Sequence, residues 1–303
     1  MLFKPYTDGA PPRTTEVEAY REACKRYLQT QDIQDLRERS ERMRELKSRC
    51  ATCVSALMDI ADKQDAEVWF AIGDAFSKGW GIERNRTEAM RWFQRATDAG
   101  HAGAMVRLAF CIKYPCPATE DAHERAVALF RQAAELGNAS GMVWLGFAYR
   151  DGAGVADDPD EAARWFILAT EAGDSHAMIL AGQVLAGECS SPAEAEKWFL
   201  RAAAAGHKES HIALADLYSD RRSPLYNATA SHHWYRVVAQ IPTGSGARAM
   251  LALARQCRDG EGTERSSEMA KEWLHRLLET APEHSAYRKE AALLLRQLHE
   301  DLL

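Results

Sequence analysis

Long apolar runs are the first feature that the sequence lacks. No stretch approaches the roughly 20 apolar residues that a helix needs to cross a bilayer, and the longest candidates, such as 291–295, are interrupted by charge within a turn. The N-terminal residues carry a polar turn and two prolines where a secretory signal has an apolar core of about 7–15 residues. We therefore expect a cytoplasmic protein with no membrane insertion.

The sequence also lacks an excess of positive charge. Its 38 lysines and arginines stand against 44 aspartates and glutamates, which gives a formal net charge of −6 and a pI near 6.0. General nucleic-acid binders and proteins of anionic membrane surfaces carry a basic balance instead. We therefore expect no nucleic-acid partner, although short basic patches are compatible with this composition.

Cysteines are few and irregularly spaced. Their number, 7, is odd, which fits reduced thiols better than a disulfide framework. Cys50 and Cys53 have the spacing of metal ligands, but both fall on the apolar seam of a helical pattern, and no second C-x-x-C exists. Cys111 and Cys116 complete four thiolates only if a distant loop folds back. We expect no metal and no cofactor.

Catalytic motifs are missing as well. The sequence has no G-x-S-x-G elbow. Three glycine pairs lack the third glycine and the Gly-Lys-Ser/Thr of phosphate-binding loops: Gly79 and Gly81, Gly152 and Gly154, Gly260 and Gly262. His207 and His211 lie one turn apart, but no glutamate stands where the helical zinc-protease motifs need it, and His207 follows a helix-ending glycine as a junction residue. We expect no enzyme.

The chain does contain an internal repeat. Three stretches that begin at residues 66, 139 and 247 superimpose, and weaker copies begin at 102, 175 and 208. The six starts are separated by 36, 37, 36, 33 and 39 residues. A period of this size is typical of a helical solenoid, in which each repeat packs only on its neighbours.

Each repeat has the pattern of two helices. In the repeat from 139, Gly152 and Gly154 break the chain because glycine accepts positive φ, and residues 157–159 supply a cap and a first turn. Gly173 closes the second helix. The apolar stripe of that helix consists of Ala162, Trp165, Phe166 and Ala169. We expect the Trp165 ring to be sandwiched between neighbouring repeats.

These repeats resemble the Sel1-like repeat family, a relative of the tetratricopeptide repeats. The likeness rests on the small residue that opens each repeat, the Leu-Gly and aromatic of the first helix, the G-x-G-V/I loop, and the A-x-x-W-F-x-x-A second helix closed by glycine. It extends over residues 66–281, about 70% of the chain, with departures in the loops of the second, fourth and fifth repeats. The resemblance implies an all-α fold, a right-handed α/α superhelical solenoid of about six helix-pair repeats with helical caps.

The ends of the chain have patterns of their own. We expect a flexible lead over 1–13, an N-terminal helical pair over 14–65, repeats over 66–282 and a C-terminal capping helix over 283–303. In the N-terminal pair, apolar residues seven apart form a coiled-coil-like seam, namely Leu36, Met43, Cys50 and Leu57. This pair either caps the solenoid or dimerises as a coiled coil, so the protein is a monomer or a homodimer through 14–61.

The resemblance also implies that the first helices line a concave face. The fifth, ninth and twelfth positions of each repeat are then free to specify a partner. The residues predicted to bind are Phe70, Asp74, Val106, Phe110, Lys113, Val143, Phe147, Arg150, Ile179, Gln183, Asp216 and Arg255. Five of them form an apolar strip across the first four repeats, unless adjacent first helices bury some of them: Phe70, Phe110, Val143, Phe147 and Ile179. Charges then flank the strip.

The predicted function is non-catalytic binding of a protein partner, as an adaptor or regulator. A narrower alternative is a bacterial immunity protein or antitoxin that occludes a toxin, because Sel1-like repeats occur in such proteins. A rival from another class is a small-molecule hydrolase, because some similar proteins with cysteines paired across each repeat have been credited with β-lactam hydrolysis. Here the cysteines do not follow the repeat phase.

Overall fold

The computed structural model describes residues 17–19, 21–22, 51–61, 65–114, 119–241, 244–282 and 284–300, and within these ranges the regular structure is helical throughout. A helical segment at 51–59 precedes the first named helix. The helices that follow are α1 (Ala66–Lys78), α2 (Arg86–Asp98), α3 (Ala102–Lys113), α4 (Glu120–Glu135), α5 (Ala139–Asp151), α6 (Pro159–Glu171), α7 (Ala177–Gly187), α8 (Pro192–Ala204), α9 (Glu209–Ser219), α10 (Ala228–Val238), α11 (Gly244–Asp259), α12 (Ser267–Thr280) and α13 (Ala286–Glu300).

The chain divides into two compact halves, an N-terminal half (Met1–Asp158) and a C-terminal half (Pro159–Leu303). Within each half, every helix packs against the next one along the chain. First helices of adjacent repeats also touch, α3 with α5 in the N-terminal half and α7 with α9 in the C-terminal half. This consecutive packing of helix pairs confirms the all-α solenoid that the 36-residue period predicts.

Polar caps and glycines set the ends of the helices. Asp65, Asn85 and Asn138 each accept a backbone N–H from the first turn of the following helix, which satisfies one of the donors left free at a helix start. Four second helices are followed by a glycine with positive φ, namely Gly100, Gly137, Gly173 and Gly206. These glycines confirm the predicted stop signals.

A phenylalanine of the second helix forms the centre of several repeats. Phe93, Phe130, Phe166 and Phe199 are all fully or almost fully buried. In the first and fourth repeats the ring lies on a glycine of the first helix: a Cβ placed on Gly73 would come within 2.7 Å of Phe93, and one on Gly182 within 2.5 Å of Phe199. A glycine at this position of the first helix therefore makes room for the ring in these two repeats.

The Trp165 ring is less buried than the ring of its neighbour Phe166. That the Trp165 ring lies between neighbouring repeats stays a prediction. Phe166 is 0% exposed, whereas Trp165 is only half-buried, with its indole Nε1 enclosed and without a hydrogen-bond partner among the described residues. Consecutive helical residues point about 100° apart, so the two rings of a Trp-Phe pair cannot both face the centre of the repeat.

The ends of the solenoid are described in part. Val54 and Leu57 of the segment 51–59 are buried in one cluster with Val68 and Ile72 of α1. The lead 1–13 and most of the predicted N-terminal pair, including the seam residues Leu36, Met43 and Cys50, lie outside the described residues, so the choice between cap and coiled coil stays a prediction. At the other end, α13 packs on both α11 and α12. None of the described helices combines the length and apolarity needed to cross a membrane.

Candidate protein-binding surface

An aromatic cluster joins the first helices of the second and third repeats. Phe110 lies near the end of α3, and its ring meets the Trp144 ring of α5 edge to face, with centroids 4.6 Å apart. Trp144 in turn lies 5.3 Å from Phe147, one turn further along α5. Tyr114, just after α3, stacks on Phe110 at 6.3 Å. We call Phe110, Tyr114, Trp144 and Phe147 the aromatic cluster.

The aromatic cluster reaches the surface. Tyr114 is 55% exposed, and the other three rings are half-buried. Its floor is the buried Phe130 of α4, 5.7 Å from Phe110 and 6.2 Å from Trp144. The cluster is therefore fixed on a rigid helical base while its outer edges meet solvent.

Two cations border the aromatic cluster. The Lys113 ammonium lies 5.9 Å from the centre of the Trp144 ring, and the Arg150 guanidinium lies 4.8 Å from the centre of Phe147. Arg150 also forms an ion pair with Asp151 at 2.8 Å. A cation over an aromatic ring is attracted by the ring quadrupole. This attraction positions the Lys113 and Arg150 side chains beside the rings without neutralising their positive charges. The structure thus brings four predicted residues, Phe110, Lys113, Phe147 and Arg150, into one place.

Phe70 and Asp74, predicted for the same face, are engaged within the N-terminal half. The Phe70 ring stacks on the imidazole of His101 at 4.5 Å and lies 5.9 Å from Phe93. Asp74 is buried, with Oδ2 at 2.7 Å from the Lys78 ammonium and Oδ1 at 3.8 Å from Arg107. At 3.8 Å the contact with Arg107 is electrostatic only, which agrees with an Oδ1 that accepts no hydrogen bond.

His101 is the junction between the first two repeats. Its Nδ1 accepts the N–H of Ala104 at 2.9 Å, so in the neutral ring the proton is on Nε2, which donates to Glu67 Oε2 at 2.9 Å. Burial lowers the pKa of His101, which favours this neutral form. His207, predicted as a junction residue, has the corresponding role: its Nε2 lies 2.9 Å from Ser175 Oγ.

Three predicted aliphatic residues differ in exposure. Val106 is 6% exposed and Ile179 is 2% exposed, so both belong to the core of their own halves. Val143 is half-buried. Of the residues in the predicted strip, Ile179 is therefore buried, an outcome that the sequence analysis left open for individual residues.

The remaining predicted residues lie in the C-terminal half. Gln183 is exposed, and Arg255 pairs with Glu290 of α13. Asp216 accepts the Tyr235 hydroxyl at 2.8 Å and pairs with Arg248 at 2.9 Å. Burial raises the pKa of Asp216 despite these partners. Arg255 and Asp216 therefore form ion pairs with other residues of the fold.

Sequence reasoning missed Trp144 and Tyr114. Both lie one position beyond a residue that was selected by repeat position, Trp144 after Val143 and Tyr114 after Lys113. Aromatic pairs three or four residues apart, Phe110 with Tyr114 and Trp144 with Phe147, were the available signal, because such residues share one face of a helix.

The described residues offer little for catalysis by metal or thiol. No group of three or more His, Cys, Asp or Glu within them is arranged to hold a metal ion. Burial raises the pKa of both Cys111 and Cys257, which keeps these thiols protonated and weakly nucleophilic.

Comparison with known proteins finds the Sel1 repeat in five segments, at 70–101, 102–138, 139–174, 176–207 and 247–279, more than half of the chain. No curated protein matches the sequence.

Solved structures with a similar fold include other proteins built from this type of repeat. A Sel1 repeat protein from Oxalobacter formigenes is 24% identical, with a TM-score of 0.58 over 78% of this chain and 92% of that one. A protective antigen with the same type of repeat from uropathogenic Escherichia coli is 21% identical, with a TM-score of 0.61 over 94% and 67%. An immunity protein from Pseudomonas aeruginosa is 17% identical, with a TM-score of 0.45 over 79% of this chain and 88% of that one.

Proposed function

Because the chain belongs to the Sel1 repeat family, whose members generally mediate protein–protein interactions, we propose that it binds a protein partner through the aromatic cluster. The proposed role is that of a non-catalytic adaptor or regulator. The proposal places it in the cytoplasm, a compartment that suits the free thiols Cys111 and Cys257.

The observation that carries the proposal is the exposed edge of the aromatic cluster. Three large rings on two adjacent first helices and the Tyr114 ring just after α3 present a contiguous apolar surface, and exposed apolar surfaces of this kind mark interaction sites. Aromatic residues on a rigid base are also the commonest anchors of binding energy, because they bury large area at little cost in side-chain entropy. Phe130 supplies that base here.

Lys113 and Arg150 have a different proposed task. Charges at the rim of an interface act mainly on the rate of association and on its dependence on salt. Both cations lie beside the rings rather than between them. We therefore assign to them the steering of an acidic partner towards the aromatic cluster.

The test is capture of the partner with full-length wild-type protein, followed by affinity measurements on variants. The double substitution Phe110→Ala, Phe147→Ala should weaken binding by at least about tenfold, because truncation of buried aromatic anchors typically costs about 2 kcal/mol or more. The matched control is Leu200→Ala with Tyr226→Ala, which removes exposed apolar groups of the C-terminal half. The control should bind as the wild type does.

The charge variant, Lys113→Ala with Arg150→Ala, should slow association most at low salt and leave dissociation nearly unchanged.

A folded aromatic variant that binds at wild-type affinity would contradict the proposal and show that the binding site lies elsewhere on the protein. The identity of the captured protein decides between the two narrower roles: a toxin whose activity the wild type blocks indicates an immunity protein, and a non-toxic partner indicates an adaptor. Hydrolysis of a β-lactam by the purified protein would support the alternative that the protein is a hydrolase.

A further inference from the structure

A small basic pocket adjoins the aromatic cluster. Its volume is about 200 Å³, and it lies between the end of α1, the start of α2 and the second half of α3. Three arginines line it, Arg84, Arg86 and Arg107, together with Phe110 and Tyr114. The last two residues also belong to the aromatic cluster, so the pocket and the cluster form one continuous surface within the N-terminal half.

The positive charge of this pocket is poorly neutralised by the protein itself. Arg84 has no hydrogen-bond or ion-pair partner among the described residues. Arg86 donates to the backbone carbonyl of Cys111, a contact that leaves its charge uncompensated. Among the described residues, Arg107 pairs only with the Asp74 carboxylate, 3.8 Å away, and that carboxylate is already bound to Lys78 at 2.7 Å. The Asp74 carboxylate is therefore shared between two cations, Lys78 and Arg107.

We propose that this pocket binds the side-chain carboxylates of an acidic segment in the partner protein, an inference that rests on the proposed function. Guanidinium groups bind carboxylates through two parallel hydrogen bonds, a geometry that lysine cannot offer. A carboxylate placed between these arginines would relieve their mutual repulsion and take hydrogen bonds from more than one of them.

The size of the pocket favours a side chain over a free small molecule. Sites for small molecules and cofactors usually enclose about 300–1,000 Å³, and this pocket has about 200 Å³. Because the pocket lies next to Phe110 and Tyr114, the part of the bound segment that follows or precedes the carboxylate should contact the aromatic cluster. The bound segment should carry Asp or Glu for the pocket and, a few residues away, a large apolar side chain for the aromatic cluster.

The probe is a library of random dodecapeptides displayed on phage, selected against the immobilised full-length protein. Selected peptides are then synthesised, each with a partner in which Asn and Gln replace Asp and Glu. The pocket variant is Arg84→Gln with Arg107→Gln, which leaves the Arg86 bond to the backbone in place. The charge-matched control is Arg91→Gln with Arg125→Gln, two exposed arginines of α2 and α4 that pair within their own helices.

We expect the wild type to select peptides with Asp or Glu near a large apolar residue. The pocket variant should bind them at least about tenfold more weakly, the control less than twofold more weakly, and the amide peptides should not distinguish wild type from pocket variant. Selection of neutral peptides, no selection at all, or equal losses in the pocket variant and the control would overturn the inference.

The same peptides separate this inference from the proposed function. If the double variant Phe110→Ala, Phe147→Ala loses peptide binding while the pocket variant retains it, the inference that the pocket binds carboxylates is overturned and the aromatic cluster is left as the binding site. If only the pocket variant loses peptide binding, the pocket is supported as a binding site, and the proposal that the aromatic cluster contributes to binding is contradicted.

Discussion

At the scale of single residues, the adjacent tryptophan and phenylalanine of the second helices have separate tasks. The phenylalanine fills the centre of the repeat, and the tryptophan lies at its edge. In three repeats an arginine one turn later covers the indole, with its guanidinium 4.4–5.5 Å from the ring centre: Arg95 on Trp92, Arg201 on Trp198 and Arg276 on Trp273. The exposed face of the tryptophan is thereby shielded by a charged group. In the last of these repeats the buried Leu274 takes the place of the phenylalanine.

This division predicts unequal costs of truncation in the third repeat. Phe166→Ala should lower the free energy of unfolding by roughly 3–5 kcal/mol, because the ring is fully buried and a cavity remains. Trp165→Ala should cost less, on the order of 1–2 kcal/mol, because part of its ring already meets water. Urea unfolding of both variants measures the difference. A larger loss for Trp165→Ala would contradict the assignment of the buried position.

The junction histidine predicts a dependence of stability on pH. Burial lowers the pKa of His101 in the folded protein, and the charge of Arg21 acts in the same direction, while a hydrogen bond to the backbone of His101 itself and the charge of Asp65 oppose it. The stabilising contribution is complete above the unfolded pKa of about 6.5. As the pH falls below that value, the unfolded chain binds a proton more readily than the folded chain, so stability decreases towards the lower folded pKa.

His101→Asn should reduce this loss of stability. Asparagine keeps the cap, as Asn138 does at the corresponding position of the third repeat, but it does not titrate near neutral pH. The free energy of unfolding, measured at pH 7.5 and 5.5, should fall less in the variant than in the wild type. His211 and His232, whose pKa values are also lowered by burial, should retain part of the dependence. An identical decrease in both proteins would contradict the role of His101.

At the scale of elements, the G-x-G loops fix the distance between repeats. The first glycine ends the first helix in the left-handed conformation, as Gly152 does with φ 64°. The second glycine approaches the backbone of the preceding repeat: a Cβ on Gly154 would lie 2.4 Å from the His123 carbonyl carbon, and one on Gly262 would lie 2.1 Å from the Ala228 carbonyl oxygen. The loops of Gly154 and Gly262 therefore pack against the start of the second helix of the preceding repeat, α4 and α10 respectively.

Gly154→Ala and Gly137→Ala make a matched pair for this contact. Both glycines have a positive φ, 77° and 81°, so both alanines incur the left-handed penalty of about 1–2 kcal/mol. Only Gly154 also meets neighbouring backbone, whereas nothing lies within 4 Å of a Cβ on Gly137. We expect Gly154→Ala to destabilise by at least about 2 kcal/mol more than Gly137→Ala, measured by thermal or urea unfolding. Equal losses would show that the loop does not make this contact.

Much of this element-level structure was available from the sequence, because helix pairs, glycine stops and the period are local signals repeated along the chain. The candidate site was available only in part. Repeat position selected Phe110 and Phe147, but it also selected Val106 and Ile179, which neighbouring elements bury. Exposure at one helix position depends on side-chain size and on what the adjacent repeat places there. The pattern of a single helix does not contain that information.

At the scale of the whole molecule, the two halves use their polar groups differently. In the C-terminal half, Gln256 joins His232 and Ser231 through buried hydrogen bonds of 3.1 Å each, so these three polar side chains have partners within the fold. In the N-terminal half, arginines and exposed rings gather at the aromatic cluster and the basic pocket. Binding is accordingly proposed in the N-terminal half.

Stability should also be distributed locally along the chain. Each repeat of a solenoid contacts only its neighbours, so damage to one repeat should weaken nearby helices more than distant ones. Phe93 and Phe199 test this as a matched pair, because both are buried against a bare glycine in corresponding positions of the first and fourth repeats. Each substitution by alanine should cost roughly 3–5 kcal/mol locally. Hydrogen exchange of the intact variants should then show the largest loss of protection in α1–α3 for Phe93→Ala and in α7–α9 for Phe199→Ala. A uniform loss along the chain in both variants would instead mean that the protein unfolds as one cooperative unit, and the additive behaviour expected of a repeat array would be wrong for this molecule.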